Sequence, residues 1–501
     1  MVRVVPKIKK EQTQENRRRI QRAALELFTT QGFHGTRNRE IAQKIGLSEG
    51  AIYTYFPSKE AIFASLAHDY RQDIREWLKQ TVGTLRDPFS KADLKRFAMA
   101  VQAKMEADPE YLLMIMSDVL EFENRHFLEA FRNVPQQLRR ILGPALAEDT
   151  EHPGWRGHDP GFVLASVYMY YFTYALVEQH MHGQQHLGLG NEAAIDRLVD
   201  LLTRGFWTGN TTSRSAQSQK ADQQSSQMVR KANRERVAYL RFLSGRLWHS
   251  PPDVPPTTNG ADKHHSPAML FLPEIPRDRI DANQLKVEAA ALDLFTRQGF
   301  HGTNIREIAE RAGVSQGAIY TYYSGKEAIF EGLVRSYRRC MASFLERVVR
   351  SLEEPFSRDD LRFFAAAVRS IVYDDPAYWL LIYIDVIEFK NRHFAANFHD
   401  IPEQFRYLLG PNVQRIQKQP GWCGHDPGLA ISIFFFYLCT YFTVERLMHG
   451  NRHLGVSEDE AIERLIDLFL YGLWSAPAQV VKPAIHPASR KRRSRPASPP
   501  P

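Results

Sequence analysis

Cysteine is scarce: Cys340, Cys423 and Cys439 are the only three in 501 residues, and no two stand at redox or zinc-ligand spacing. That argues against a structural disulfide and fits a reducing, cytoplasmic compartment. Uninterrupted apolar runs are lacking too. The stretch Leu429 to Val444 is broken by Ser432, Thr440 and Thr443. It is too short for a membrane span, so a buried helix is expected there. The opening Met1-Val2-Arg3-Val4-Val5-Pro6-Lys7 becomes charged at once, and no secretory leader is expected. No segment alternates apolar and polar residues in the manner of a strand. No phosphate-cradling glycine loop, nucleophile elbow or strong metal motif occurs. This weighs against an enzyme and leaves no cofactor to expect.

Acid is scarce at both ends. Residues 1–22 carry eight Lys/Arg against two Glu, and residues 482–501 carry six Lys/Arg and no acid. The net charge of +8 therefore resides in two cationic arms, and the remainder sums to −4. Such arms either follow the phosphate backbone of nucleic acid or act as solubilising tails.

What the chain has in abundance is internal repetition. Gly50-Ala51-Ile52-Tyr53-Thr54-Tyr55 returns 267 residues later as Gly317-Ala318-Ile319-Tyr320-Thr321-Tyr322. The same offset relates Gly32-Phe33-His34-Gly35-Thr36 to Gly299-Phe300-His301-Gly302-Thr303, His158-Asp159-Pro160-Gly161 to His425-Asp426-Pro427-Gly428, and Trp207 to Trp474. No insertion or deletion intervenes from Ala23 to Trp207, and 24 of 33 positions are identical between Ala23 and Tyr55. The length calls for at least two domains, and the repeat makes them copies of one fold.

Each copy reads as helical. Ile20, Ala23, Ala24, Leu27 and Phe28 share one face of a helix that ends at Gly32. Thr36 is the expected N-cap of a short helix carrying Ile41, Ala42 and Ile45, which Gly46 breaks. Ser48 caps a third helix through Tyr55, and Lys59 opens a longer fourth. Two short helices joined by a glycine-containing turn, supported by a preceding helix, form a helix-turn-helix pattern. The residues Gly32-Phe33, Thr36, Ile41-Ala42, Gly46-Leu47-Ser48, Gly50-Ala51-Ile52-Tyr53, Tyr55-Phe56 and Lys59-Glu60 resemble the DNA-binding domain of tetracycline-repressor (TetR) family regulators. The stretch Gly299 to Glu327 repeats the likeness. Asn38 departs from the pattern, in a place the family usually gives to an apolar residue and Ile305 fills in the second copy.

The resemblance makes the third helix of each copy the one that enters a major groove. Gly50-Ala51 and Gly317-Ala318 then allow close approach to base edges; the alternative is tight packing against a neighbouring helix. Tyr53, Tyr55, Tyr320 and Tyr322, with Thr36, Thr303, Lys59 and Lys326, are expected at the DNA backbone, though one Tyr of each pair can equally be core. Base reading falls to Ser48, Glu49 and Thr54, and to Ser315, Gln316 and Thr321. Glu49 accepts from cytosine whereas Gln316 pairs with adenine, and Arg37 stands opposite Asn304. Unlike half-sites are therefore expected in the operator.

Beyond these domains, Asp-Pro pairs at Asp108, Asp159, Asp375 and Asp426 are read as N-caps preceding a proline. The nearly all-apolar segments Phe162 to Val177 and Leu429 to Val444 are expected as central or interface helices. The fold class is all-α, with two tandem modules, each a helix-turn-helix domain plus a helical regulatory domain. The expected boundaries are a basic flexible arm at 1–14, DNA-binding domains at 15–75 and 280–342, regulatory domains at 76–208 and 343–476, a linker at 209–279, and a disordered basic tail at 477–501. A short helix between Asn233 and Trp248 is expected to dock somewhere.

Family members act as homodimers, so two copies in one chain suggest an intramolecular pseudo-dimer, with further dimerisation as the alternative. The resemblance also implies a small apolar or aromatic effector, for which Tyr168, Tyr171, Phe172, Phe435, Phe436 and Tyr441 are candidates; core packing is their other account. Asp118, Glu121 and His126, repeated as Asp385, Glu388 and His393, offer metal-ligand types, as do His182 with His186 and His449 with His453. Glu121–Arg125 and Glu388–Arg392 read instead as i, i+4 ion pairs, and no metal site is assigned. The function this implies is sequence-specific binding of double-stranded DNA by a transcriptional regulator, a repressor released or altered by its effector. The competing classes are an architectural DNA-binding protein without an effector and a metal-dependent enzyme.

Overall fold

The computed structural model describes residues 7–142, 159–181, 186–206, 233–238 and 282–474. Met1 to Pro6, His158, His182, Trp207, most of the linker and the tail lie outside the described residues. Among those residues no strand forms; a lone bridge pairs Trp422 with Trp474. The all-α architecture follows.

The first repeat runs through α1 (Lys7–Gly35), α2 (Asn38–Lys44), α3 (Glu49–Tyr55), α4 (Lys59–Gly83), α5 (Lys91–Ala107), α6 (Pro109–Phe122), α7 (Leu128–Phe131), α8 (Val134–Leu142), α9 (Pro160–His180) and α10 (Asn191–Phe206). The second supplies α11 (Ala282–Gln298), α12 (Ile305–Ala312), α13 (Gln316–Tyr322), α14 (Lys326–Arg350), α15 (Arg358–Tyr373), α16 (Pro376–Phe389), α17 (Ile401–Leu409), α18 (Asn412–Gln417), α19 (Pro427–Arg446) and α20 (Glu458–Leu473). The helix expected to begin after the arm starts at Lys7 instead. Its first turns are mostly Lys, Glu and Gln, which are good helix formers. It is tied down where Asn16 donates to the Tyr55 hydroxyl at 2.8 Å and the Arg17 guanidinium lies 4.1 Å from the Phe56 ring centroid.

Two of the four Asp-Pro pairs cap as expected: Asp159 accepts from Phe162 N and Asp426 from Leu429 N, both at 2.8 Å. Asp108 and Asp375 make no cap bond. Asp108 turns to Lys104 at 2.6 Å, and Asp375 accepts from the Tyr337 hydroxyl at 3.3 Å.

The two repeats pack so that equivalent residues meet. Thr173 and Thr440 share a hydrogen bond, and Tyr170 stacks on Tyr437 with centroids 6.2 Å apart. Val134 N donates to His453 O at 2.8 Å, and its counterpart Ile401 N donates to His186 O at 3.1 Å. Helices α10 and α20 meet closely at two glycines. A Cβ on Gly205 would lie 2.3 Å from Leu468 O, and one on Gly472 would lie 2.3 Å from Leu201 O. Helices α9 and α19 are long and apolar enough to cross a membrane, but 89% and 94% of their apolar windows are buried. They are core helices, as the sequence led one to expect. The segment 233–238 is helical and rests on the second repeat, with Val237 buried and the Arg236 guanidinium 4.0 Å from the Phe363 ring centroid.

Candidate nucleic-acid interface

Each head is a small bundle closed by one aromatic cluster. Phe33 packs edge-on against Phe122 of α6 with centroids 4.7 Å apart, and Phe300 against Phe389 of α16 at 4.5 Å. Ile41, Ala42 and Ile52, with Ile308, Ala309 and Ile319, fill the space beneath the two short helices. That burial fixes which faces of α3 and α13 remain outside.

The outward faces carry most of the expected readers. Arg37, Ser48, Glu49, Gly50, Tyr53 and Thr54 are exposed, as are Asn304, Ser315, Gln316, Gly317, Tyr320 and Thr321. Tyr53 and Tyr320 are 51% and 56% exposed, large for aromatic side chains and without a packing reason to be there. The Ser48 hydroxyl accepts from Ala51 N at 3.2 Å and that of Ser315 from Ala318 N at 3.1 Å, so both serve as N-caps. A Cβ added at Gly50 would meet nothing within 4 Å, and at Gly317 only Ser315 Oγ at 3.8 Å. Packing against a neighbouring helix is therefore not what keeps these positions small. Ala51, Tyr55, Ala318 and Tyr322 are half-buried.

Four expected backbone contacts turn inward. Thr36 and Thr303 are buried, each donating its hydroxyl to the carbonyl four residues back, at 2.8 Å to Gly32 O and Gly299 O. The N-caps of the second helices are instead Arg37 and Asn304, whose amide nitrogens donate to Glu40 at 2.8 Å and Glu307 at 3.2 Å. Lys59 donates to Phe33 O and Thr36 O, both at 2.6 Å, and sits 4.2 Å from the Phe33 ring centroid. Lys326 repeats this with Phe300 O at 2.6 Å, Thr303 O at 2.5 Å and the Phe300 ring. Burial pushes both amines below the usual lysine range. They clamp the segment from the break at Gly32 or Gly299 to the start of the second helix and do not face outward, because the carbonyls freed at that break need donors. Asn38, the odd residue of the first copy, donates to the Tyr53 hydroxyl at 3.0 Å, while Ile305 packs on the core.

The sequence also missed what joins the heads. Gly32 and Gly299 take φ of +73° and +72°, and both face the Glu388 carboxylate: a Cβ would lie 3.5 Å and 2.7 Å from Glu388 Oε1. Glu388 accepts from Phe300 N at 2.9 Å and His301 N at 2.6 Å. Glu121 sits beside it and meets His34 Nε2 at 2.8 Å. The ion pairs expected between Glu121 and Arg125 and between Glu388 and Arg392 are not formed. Helix α6 ends at Phe122 and α16 at Phe389, each followed by a left-handed residue, so the arginines leave the helical face. Arg125 pairs with Glu60 and Arg392 with Glu327. Burial pushes the Glu388 carboxyl up to about 7, with the two backbone N–H groups opposing and the nearby Glu121 charge adding. The bond to Glu121 raises His34, whereas burial lowers His301.

The candidate effector residues are packed. Phe172 meets Phe131 at 6.2 Å, Phe435 meets Phe405 at 5.5 Å, Phe436 meets His186 at 5.0 Å and Tyr441 meets His453 at 5.1 Å. Tyr168 and Tyr171 are buried. A cavity of about 590 Å³ lies elsewhere, lined by Arg22, Leu25 and Thr29 of α1, Leu113 of α6, His180 of α9 and Val386 of α16. Of the histidines read as metal-ligand types, His186 and His453 bond the Glu178 and Glu445 carboxylates through Nδ1, and His126 bonds Asp118 at 2.6 Å.

A profile of the family described as bacterial regulatory proteins, tetR family, matches residues 20–66 and again 289–333. The uncharacterized HTH-type transcriptional regulator YdgC of Bacillus subtilis (strain 168) is 36% identical over 89 residues, 18% of this chain and 45% of its own length. The uncharacterized HTH-type transcriptional regulator YvkB of the same organism is 23% identical over 195 residues, 37% of this chain and 93% of its own. The HTH-type transcriptional regulator RutR of Escherichia coli (strain K12) is 41% identical over 56 residues, 11% of this chain and 26% of its own. This chain thus spans less than half of the first relative and about a quarter of the third. Two exposed short helices on matched bundles, each bundle matched by the same profile, lead to one assignment: the chain carries the helix-turn-helix domain of the tetR family of bacterial regulatory proteins twice.

Proposed function

We propose that this chain is a cytoplasmic repressor that acts as an intramolecular pseudo-dimer, laying α3 and α13 on the two half-sites of one imperfect palindrome. The observation that carries the reading is the contrast between like scaffolds and unlike readers. Both outward faces keep Tyr and Gly at the same positions, while Glu49 faces out where the other head has Gln316. A carboxylate accepts from cytosine and an amide pairs with adenine, so the halves should differ. The seam at Gly205 and Gly472 supports a pairing of repeats within one chain. The Arg22–Val386 cavity touches the first reader's supporting helix and both repeats, which makes it the better seat for a small effector than the packed aromatic stripe.

Selection from a random duplex library by the full chain, followed by footprinting, tests the reading. Two different half-sites about one helical turn apart, or a multiple of it, are expected. Two identical half-sites would refute the asymmetric reading. No advantage over random DNA at equal salt would favour an architectural protein instead. Light scattering of the complex separates one chain per operator from two.

A further inference from the structure

The second repeat gathers a histidine and two carboxylates that the first does not. Glu327 and Glu331 stand at i, i+4 on the first turns of α14 and so share a face. His393, just past α16, turns its imidazole toward them: Nε2 lies 4.0 Å from Glu327 Oε1 and 3.8 Å from Glu331 Oε1. The three ligand atoms all lie within 4.8 Å of one another. The His393 side chain is 8% exposed, and its Nε2 is buried without a hydrogen-bond partner. The other ring nitrogen is committed. Nδ1 lies 2.5 Å from Asp385 Oδ1, and Asp385 Oδ2 accepts from His393 N at 2.9 Å and Phe394 N at 2.8 Å. A carboxylate on that side makes Nδ1 the donor and leaves the lone pair on Nε2, the tautomer that serves metals. Phe330 and Phe389 hold the ring edge-on, with centroids 5.3 Å and 4.7 Å away.

We propose that Glu327, Glu331 and His393 bind a divalent transition metal of the zinc class, with Asp385 orienting the histidine. One imidazole with two carboxylates suits zinc better than the all-oxygen shells of magnesium or calcium. Metal–ligand bonds of about 2.0–2.2 Å bring ligand atoms to roughly 3–3.5 Å from one another. The two glutamates, each 47% exposed, need only a small rotation to close that gap. Like charges four residues apart on a helix repel, and a cation between them removes the penalty. Glu327 already holds Arg392, which is 59% exposed and is the group an arriving ion displaces. The counterpart of Glu331 in the first repeat is Ala64, although Glu60, His126 and Asp118 are all retained there. The site therefore belongs to one repeat. It ties the helix that follows α13 to the loop that follows α16, so occupancy pins the second head to its bundle and leaves the first untouched.

The test is calorimetric titration of Zn²⁺ into the full chain after chelator treatment, without DNA, so that it does not depend on the operator reading. Wild-type protein should take up one equivalent whose affinity falls at least tenfold in Glu331→Ala, a change to the residue the first repeat already has. Arg392→Ala should bind more tightly, because the competing guanidinium is gone. Ala64→Glu should add a second equivalent. Circular dichroism and thermal melting of each variant confirm that the fold is kept. An unchanged affinity in Glu331→Ala overturns the proposal. So does a wild-type chain that takes up no stoichiometric Zn²⁺, in which case a proton on Nε2 holds the two carboxylates.

Discussion

The Glu388 carboxyl should make stability fall as pH rises. Its side chain is 2% exposed and faces the backbone turns of both heads. Folding lifts it from an ordinary value of 4.5 to about 7, first through burial. The folded state therefore holds this proton more tightly than the unfolded chain. The associated stabilisation is complete below pH 4.5 and disappears as pH rises through about 7. Its size is on the order of 3 kcal/mol, with no discount for solvent because the group is buried. The surrounding groups act on the same window. His34, raised mainly by Glu121, loses stabilisation in the same direction, and His301, lowered mainly by burial, works against it at the acid end. The Glu121 charge raises Glu388, and Lys326 draws it down. Glu388→Gln isolates the effect. The amide keeps one acceptor for two backbone N–H groups, at a pH-independent cost of about 1–2 kcal/mol. Urea unfolding of both full chains between pH 5.5 and 8.5 gives the double difference. Because part of the effect lies below pH 5.5, wild type should lose about 2 kcal/mol relative to the variant across that range. Parallel profiles would refute the reasoning, because they would mean that Glu388 ionises in the folded protein as it does in the unfolded chain.

Gly205→Ala places a methyl 2.3 Å from Leu468 O and should destabilise the seam by about 1–3 kcal/mol, with Gly472→Ala matching it in thermal melts. Lys59→Met removes two bonds to carbonyls and should destabilise the first head by about 2–4 kcal/mol. The slope of DNA affinity against salt should stay unchanged; a slope lower by about one would place Lys59 on a phosphate after all. Tyr53→Phe should leave stability within about 0.5 kcal/mol while weakening binding about tenfold and uniformly across sequences, as measured by fluorescence anisotropy.

The fold was legible because each reader helix announces itself locally. Ser48 and Ser315 cap, Gly46 and Gly313 break, and a 267-residue offset says everything twice. The destination of long side chains was not legible. Nothing in the spacing says that Lys59 and Lys326 reach back to carbonyls 23 and 26 residues earlier. The i, i+4 spacing of Glu121 and Arg125 misled because α6 stops at Phe122, between them. The Glu388 junction was invisible for a different reason. It joins segments 87 and 88 residues apart in one repeat and reaches a turn in the other, and only packing brings them together.

The meeting of Thr173 with Thr440 has a consequence for dosage. A regulator assembled from two separate subunits loses its paired form on dilution, and its DNA occupancy then varies with roughly the square of its abundance. In the proposed intramolecular pseudo-dimer, both halves of the contact belong to one chain and are synthesised together. Occupancy should track the number of chains in simple proportion, down to the few copies a single cell holds.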